Sequence, residues 1–370
     1  MSYIFDGHKL YWHANRVNAW LRGERIVPIT IDMALTRSCN YKCVYCYSQL
    51  QENERKQLTW PILCEFLDDC AELGVKAISL VSDGESTCHA DWVNFIIAGK
   101  ARGIDMALGT NGALITEKDL LQVMPQLTYI RFNISASGPD KYSEIHGTTH
   151  HNYFQAIAAI STAVKIKKQF GLKTTIGLQM VLLPNMIDDI IPLAQLGKIL
   201  GVDYLVIKHC SDDENGALGV DYSAYQDLFL KLAEAEKIST DKYKIVVKWS
   251  KITAKGKRSY SKCFGPPFIM QLSGSGLVAP CGMLFNDKYS QYHIGNIVDT
   301  SFKDLFNSDR YWEVMKKLRT THNANTMCGS LCLQHSVNKY LDWLRTEYDN
   351  GGCISAISSN SDLPEHINFI

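Results

Sequence analysis

Apolar, β-rich runs alternate with helical segments over the first two hundred residues, and this alternation limits the fold more than any other feature. It predicts a parallel sheet whose strands are connected by crossover helices. The predicted strands are 28–35, 76–81, 105–109, 129–134, 175–182 and 204–208. The predicted helices are 59–73, 89–102, 117–123, 153–170 and 186–200. A glycine just past four of these helices favours a left-handed C-cap there. The fold class is therefore α/β with six β/α units.

The sequence does not support two common folds that are built from β/α units, the dinucleotide-binding fold and the P-loop fold. Neither a Gly-x-Gly-x-x-Gly element nor a Walker lysine loop follows any predicted strand, so nothing indicates a dinucleotide or P-loop fold. The alternative is a TIM-like barrel or partial barrel, in which the chemistry lies at the carboxyl ends of the strands.

Three cysteines, Cys39, Cys43 and Cys46, follow the first predicted strand directly. Iron–sulfur clusters are usually held by four cysteine thiolates. A loop that offers three leaves one iron of a four-iron cluster open to another ligand. Open coordination positions are typical of reactive metal sites.

Composition limits the class of protein and the compartment in which it works. The chain has 38 basic (Lys and Arg) and 38 acidic (Asp and Glu) residues, so its formal net charge is zero, whereas nucleic-acid binders usually show a basic excess. The first residues do not resemble a secretion signal, and no apolar run is long enough to span a membrane. We therefore expect a cytoplasmic protein whose twelve cysteines serve thiolate chemistry instead of disulfides.

The cysteine loop resembles the hallmark of the radical S-adenosylmethionine (SAM) superfamily, Cys-x3-Cys-x-aromatic-Cys after strand one of a partial (β/α)6 barrel. Cys39, Cys43, Tyr45 and Cys46 match it. The resemblance implies a [4Fe-4S] cluster with SAM at its open iron. It also implies reductive cleavage of SAM to a 5′-deoxyadenosyl radical, fed by a reductant such as flavodoxin or ferredoxin.

The resemblance extends to predicted SAM contacts. Asp83, Gly84, Glu85 and Ser86 are similar to the family's Gly-Gly-Glu-Pro element, with departures at Asp83 and Ser86, and imply that Glu85 pairs with the methionine ammonium. A solvated Glu in a turn is the alternative. The further predicted contacts are Tyr45, Asn111, Ser135, Gln179 and Asn185. Asn185 fits the N-cap of the next helix equally well.

A second cysteine set, Cys263, Cys281, Cys328 and Cys332, resembles the C-terminal SPASM domain in its shortened form, the twitch domain. This implies a second, auxiliary [4Fe-4S] cluster whose irons are all ligated by protein. A structural zinc is the alternative, because four thiolates suit Zn²⁺ as well. Cys353 alone would not complete a third site.

These features divide the chain into five segments. They are an N-terminal extension (1–27), the radical SAM partial barrel (28–212), a linker helix and strand (213–262), the twitch domain (263–353) and a Ser-rich tail, expected to be loosely held (354–370).

Two kinds of enzyme fit these features. One oxidises or epimerises a sugar-like or other small polar substrate, with the auxiliary cluster as electron acceptor. The other modifies a peptide by crosslinking, thioether formation or epimerisation. A basic stretch over 248–262 suits a phosphorylated or nucleotide-linked substrate, or is simply a solvated linker. A non-catalytic iron–sulfur or zinc protein is a third hypothesis, but it gives no reason for Glu85 and Ser135.

Four residues are candidates for the chemistry itself. Cys210 and Cys88 are possible hydrogen-atom donors, although inert packing is the commoner role of such cysteines. Lys208 and His209, at the end of the sixth predicted strand, are possible proton acceptors by position.

Overall fold

The computed structural model describes residues 3–54, 56–330, 332–351 and 363–370. It contains one curved, mostly parallel ten-stranded sheet in the order β10-β9-β8-β1-β2-β3-β4-β5-β6-β7. The strands are β1 (Thr30–Met33), β2 (Ala77–Leu80), β3 (Asp105–Thr110), β4 (Leu127–Asn133), β5 (Thr175–Leu182), β6 (Tyr204–His209), β7 (Lys244–Val247), β8 (Ile269–Leu272), β9 (Leu277–Ala279) and β10 (Gly295–Asn296). The predicted α/β class is confirmed.

Helices lie between the strands and cover the outer face of the sheet. They are α1 (Ala14–Leu21), α2 (Trp60–Leu73), α3 (Trp92–Ala101), α4 (Glu117–Val123), α5 (Pro139–His146), α6 (His150–Phe170), α7 (Ile187–Leu200), α8 (Phe229–Glu236), α9 (Trp249–Ile252), α10 (Phe302–Asn307), α11 (Asp309–Thr320), α12 (Ala324–Met327) and α13 (His335–Asp349). Gly74, Gly171 and Gly201 end α2, α6 and α7 in the left-handed conformation, as predicted. In the described part of the chain, no helix has the length and apolarity needed to cross a bilayer.

The sheet extends beyond the six predicted strands at both edges. β7, placed by sequence in a linker, pairs in parallel with β6. β8 pairs in parallel with β1, with Thr30 opposite Ile269 and Asp32 opposite Gln271. The hairpin that carries Cys281 is therefore continuous with the barrel sheet, and edge strands that would otherwise expose unpaired backbone groups are covered.

Side chains alternate between the two faces of the sheet. On β1, Ile31 and Met33 join the large apolar core beneath the helices. Thr30 and Asp32 lie on the opposite, inner face, as the period of two requires. We call the space enclosed by this inner face the lumen.

The chain's last residues close the amino-terminal end of the lumen. Phe369 packs against Ala77, Ala107 and Tyr129. The ammonium of the buried Lys9 donates hydrogen bonds to the carbonyls of His366 (3.0 Å) and Phe369 (2.6 Å). The expectation of a loose tail is therefore wrong for residues 363–370, because these long-range contacts hold them. Cys353 lies outside the described residues.

Candidate active site

The first cysteine loop leaves the carboxyl end of β1 and is anchored to α5. The amide of Val44 donates to the Ile145 carbonyl at 2.9 Å, and the amide of Lys42 donates to the His146 carbonyl at 3.2 Å. The three thiols share one location: burial first, and then the charges of Cys46 and Cys39, raise the pKa of Cys43. A set of three clustered thiols fits the three protein ligands that a cluster with one open iron needs.

His146 supports this loop and was not predicted from the sequence. Its Nε2 accepts the amide hydrogen of Ser135 at 3.1 Å, so the ring proton lies on Nδ1. Nδ1 is 3.4 Å from the Cys43 sulfur and 3.4 Å from the Tyr45 hydroxyl. Burial lowers the pKa of His146 to about 3, so the ring is neutral. Such donors to ligand sulfurs orient and tune metal sites.

Ser135 and Tyr45, two predicted SAM contacts, are brought together. The Ser135 hydroxyl donates to the Tyr45 hydroxyl at 3.2 Å and accepts from the Val181 amide at 3.2 Å. This pair links the cysteine loop to the ends of β4 and β5.

Gly84 and Glu85 join three loops. A side chain at Gly84 would place its Cβ 1.9 Å from the Thr36 carbonyl oxygen, so only glycine fits this crossing. The Glu85 carboxylate accepts from the Thr87 amide (3.2 Å) and hydroxyl (2.8 Å), the Thr110 hydroxyl (2.9 Å) and the Asn111 amide (2.8 Å). A carboxylate has about four acceptor positions. Oε1 accepts the first three of these bonds and Oε2 accepts only the bond from Asn111, so Oε2 keeps an acceptor position for the ammonium that the motif predicts.

The Asp83 side chain differs from its predicted role. Its carboxylate accepts from the Gly274 amide (2.8 Å) and the Ser273 hydroxyl (2.5 Å), and Arg37 lies 3.3 Å away. The side chain points towards the β8–β9 hairpin. It therefore fixes that hairpin against the loop after β2 and is not free to bind SAM. Ser86 is likewise engaged, since its hydroxyl accepts from the Leu35 amide at 3.4 Å.

The remaining predicted SAM contacts lie at the strand ends. The Asn111 side-chain amide donates to Asn40 in the cysteine loop at 2.7 Å. That of Gln179 donates to Asn133 at 2.7 Å. Asn185 is exposed, and the N-cap of α7 is Met186, so the alternative role of Asn185 as that cap is wrong.

The second cysteine set converges although its members lie far apart in sequence. Burial first, and then the charges of Cys332, Cys328 and Cys263, raise the pKa of Cys281. Two side chains face the sulfurs: His322 Nε2 lies 3.2 Å from Cys328, and the Asn338 amide donates to Cys263 at 3.6 Å. Four thiols with such partners fit an iron–sulfur cluster.

The positions of the four thiols in the second set do not by themselves decide between an iron–sulfur cluster and a single zinc ion. Among the described residues, no three His, Cys, Asp or Glu side chains converge on a point suited to one bare ion. The choice of a cluster therefore rests on the family match given below.

Tyr47 and Gln51 connect the two cysteine sets. The Tyr47 hydroxyl donates to the Met283 carbonyl at 3.3 Å, and the Gln51 amide donates to the Gly282 carbonyl. Met283 and Gly282 follow Cys281. The first cysteine loop thus packs directly on the turn that carries a ligand of the second set.

The four candidate catalytic side chains separate into two groups. The Cys210 thiol is buried at the end of β6, 3.8 Å from the Tyr45 carbonyl. Cys88 is half-buried and lines a polar cavity of about 670 Å³, and its charge raises the pKa of Cys39 after the larger effects of burial, Glu85 and Cys46. Both thiols therefore lie beside the first cysteine set.

Lys208 and His209 cannot both face the lumen, because neighbouring residues of a strand point to opposite faces. Lys208 faces the lumen. His209 lies on the helix side, with ring centroids 5.6 Å from Tyr222 and 6.1 Å from Tyr225. The structure therefore does not place His209 among the catalytic candidates.

Three further polar side chains of the lumen were missed. Asp32 on β1, Gln271 on β8 and Arg131 on β4 occupy inner-face positions, and the Gln271 amide donates to Asp32 at 3.5 Å. Burial raises the pKa of Asp32 to about 7, although the charge of Arg131 opposes this. The sequence did contain a signal for them, because Asp32 and Arg131 are charged residues inside strands predicted to be buried.

Comparisons with known proteins agree with this geometry. Residues 33–196 match the radical SAM superfamily, and residues 263–333 match SPASM, an iron–sulfur cluster-binding domain. The chain is 24% identical to an AdoMet-dependent heme synthase of Methanosarcina barkeri, over 82% of this chain and 88% of the relative. It is 23% identical to a tungsten-containing aldehyde ferredoxin oxidoreductase cofactor-modifying protein of Pyrococcus furiosus, over 75% and 81%.

Solved structures share the fold. Streptococcus suis SuiB bound to S-adenosylmethionine matches with a TM-score of 0.63 and 16% identity, over 82% of this chain and 72% of that one. The thiol sets, their positions and these matches lead to one conclusion. The chain belongs to the radical SAM superfamily, with a [4Fe-4S] cluster and SAM at its barrel and an auxiliary iron–sulfur cluster in a C-terminal SPASM domain.

Proposed function

We propose that the protein oxidises a small polar substrate bound in the lumen, by removing a hydrogen atom and then an electron and a proton. The observation that carries this proposal is the contact between the two cysteine sets. The proposed sites for starting and ending a radical reaction are joined through the hydrogen bond from Tyr47 to Met283. When bound, the SAM-ligating cluster supplies the radical that takes the hydrogen atom, and the auxiliary cluster accepts the electron.

Cys39, Cys43 and Cys46 would ligate the first cluster, and Cys263, Cys281, Cys328 and Cys332 the second. We infer that Ser135, Tyr45, Asn111 and Gln179 lie along the bound SAM, since they surround the open end of the cysteine loop. His146 would hold Cys43 in place through its Nδ1 hydrogen.

We infer that Asp32 accepts the proton that the substrate loses. It lies on the inner face, 5% exposed, and a carboxylate whose pKa is raised to about 7 is matched to proton transfer at neutral pH. Its partner Gln271 also accepts from the amide of Gly282, next to Cys281. The proton acceptor and the predicted electron acceptor are therefore connected through one side chain.

A small molecule is favoured over a peptide by the two relatives named above. They align with three quarters or more of this chain, and their names indicate a heme synthase and a cofactor-modifying protein. SuiB has also been solved with its precursor peptide, but at 16% identity this likeness concerns the fold alone.

Epimerisation is a second candidate, favoured by Cys210. Its buried thiol lies at the mouth of the lumen beside the first cysteine loop, where a hydrogen-atom donor could reach a substrate radical. Solvent deuterium separates the two reactions. Epimerisation through a thiol would place deuterium on a substrate carbon, whereas oxidation would place none.

The test uses anaerobically purified protein carrying about eight irons per chain, as two four-iron clusters require. With SAM and dithionite, the wild type should release 5′-deoxyadenosine, and Cys39→Ala should not. A panel of polyols and sugar phosphates in D₂O should then reveal a compound that accelerates this release and is oxidised without carbon deuteration. Deuteration that is lost in Cys210→Ala but kept in the control Cys64→Ala, on α2, would favour epimerisation. Colourless, zinc-loaded protein that leaves SAM intact would overturn both.

A further inference from the structure

Cationic side chains outnumber carboxylates at one side of the lumen. Arg131 and Lys208 lie on the inner faces of β4 and β6, and Lys248 follows β7 beside them. None of the ion pairs between described residues involves any of these three cations. Asp32 faces Lys208, and Asp6, whose carboxylate accepts from the Ser250 amide, lies near Lys248, so two carboxylates accompany the three cations.

These cations act on one another. Burial lowers the pKa of Lys208 to about 7, and the charge of Arg131 is the next cause. Burial also lowers the pKa of Lys248, with Lys251, Lys208 and Arg131 contributing. Lys251 is itself engaged, since its ammonium donates to the Cys332 carbonyl at 2.6 Å. Mutual repulsion of this kind is relieved when an anion binds between the cations.

Arg131 has an unsatisfied donor on the inner face. Its neighbours across the sheet are Gly109 on β3 and Gly177 on β5, and the side chains of Val81 and Tyr204 fill the space beside these glycines. Its Nε is buried without a hydrogen-bond partner among the described residues, and its guanidinium carbon lies 5.7 Å from the centre of the Tyr129 ring. A buried guanidinium donor without an acceptor is costly unless a ligand supplies one.

We propose that the lumen binds an oxyanion of the substrate, a carboxylate or a phosphate, between Arg131, Lys208 and Lys248. Guanidinium groups bind both of these anions through paired hydrogen bonds, and lysines add point charges. The inference rests on the proposed function in taking the lumen as the substrate site, and it adds the chemical class of the substrate. Asp32 would then lie across the lumen from the bound anion, free to accept a proton.

Binding is tested with acetate and inorganic phosphate as probes on the holoenzyme, with saturating SAM present. The paramagnetic reduced cluster should broaden the ¹³C or ³¹P signal of an anion bound in the lumen, in a saturable manner. Arg131→Gln and Lys208→Gln should each weaken this binding roughly tenfold to a hundredfold, the effect of losing one charged hydrogen bond. Arg131→Lys should restore part of it. Lys244→Gln, at the other end of β7, is the matched control and should bind as the wild type does.

Comparison of the two probes identifies the anionic group of the substrate. Tighter binding of acetate indicates a carboxylate, and tighter binding of phosphate indicates a phosphate. Equal broadening in all variants would overturn the inference. So would loss of broadening when SAM is added, because the cations would then hold the SAM carboxylate. If Arg131→Gln fails to fold, Lys208→Gln, at the carboxyl end of β6, decides alone. Release of 5′-deoxyadenosine is measured separately. Its failure in a wild type that still binds phosphate would refute the proposed function, whereas its persistence without anion binding would refute only this inference.

Discussion

Replacing Asp83 by Ala would break a buried ion pair between the loop after β2 and the β8–β9 hairpin. The side chains of Arg37 and Asp83 are only 9% and 2% exposed, with 3.3 Å between Arg37 Nε and an Asp83 oxygen. The substitution also removes the acceptor for the Gly274 amide. Breaking a buried pair by removing one partner costs about 3–5 kcal/mol, because the other charge stays buried.

This cost converts to a shift in the melting temperature. At about 2.1 cal/mol/K of unfolding entropy per residue, a chain of 370 residues loses roughly 1.3 °C per kcal/mol. We therefore expect Asp83→Ala to melt about 4–6 °C below the wild type, as measured by circular dichroism on anaerobic holoenzyme. Asp83→Asn, which keeps one acceptor oxygen, should lose less.

A double-mutant cycle separates the ion pair from simple loss of packing. Once Arg37 is replaced by Met, no buried positive charge remains, so Asp83→Ala should cost much less in that background. The single variant melting within 1 °C of the wild type, or additive effects in the double variant, would refute the pairing as the cause. The replacement of the family's glycine by Asp83 would then need another explanation.

Three further outcomes are expected. His322→Leu removes the group 3.2 Å from the Cys328 sulfur and should shift the auxiliary-cluster potential negative by roughly 60 mV, a tenfold loss of preference for the reduced form, because a hydrogen bond to a ligand sulfur stabilises that form. An unchanged potential in an EPR-monitored titration would contradict this. If Asp32 is the base, product formation should fall about tenfold per pH unit below about 7, because the protonated carboxyl cannot accept a proton, and Asp32→Asn should be slow and flat with pH. Gly84→Ala forces a contact of 1.9 Å with the Thr36 carbonyl and should abolish soluble expression, whereas Gly138→Ala, with open space around it, should not.

Local sequence pattern was sufficient for much of the fold. The bounds of β5 and α4 match their predictions, since a mostly apolar, β-rich run of eight residues and a Thr116 capping box are local signals. The cysteines of the first set directly follow β1 in sequence, and this order alone predicts that they lie at the carboxyl end of the barrel. The family matches over residues 33–196 and 263–333 independently support both cysteine domains.

The tertiary structure decided which groups meet. Glu85 was correctly noticed from the sequence, but only the folded chain shows that its four donors come from the loops after β2 and β3. Lys208 and His209 are neighbours in sequence, yet the face that each occupies depends on the register of β6 in the sheet.

The sequence by itself determined the order of β/α units, the two thiol sets and the chemistry those thiols can support, because periodicity and spacing are properties of short segments. Only the tertiary structure decided that β8 pairs with β1, that the C-terminal residues close the lumen, and that Asp32 and Arg131 face each other inside it. These depend on hydrogen bonds and charges between residues more than a hundred positions apart or on opposite strands, and no local pattern encodes such partners.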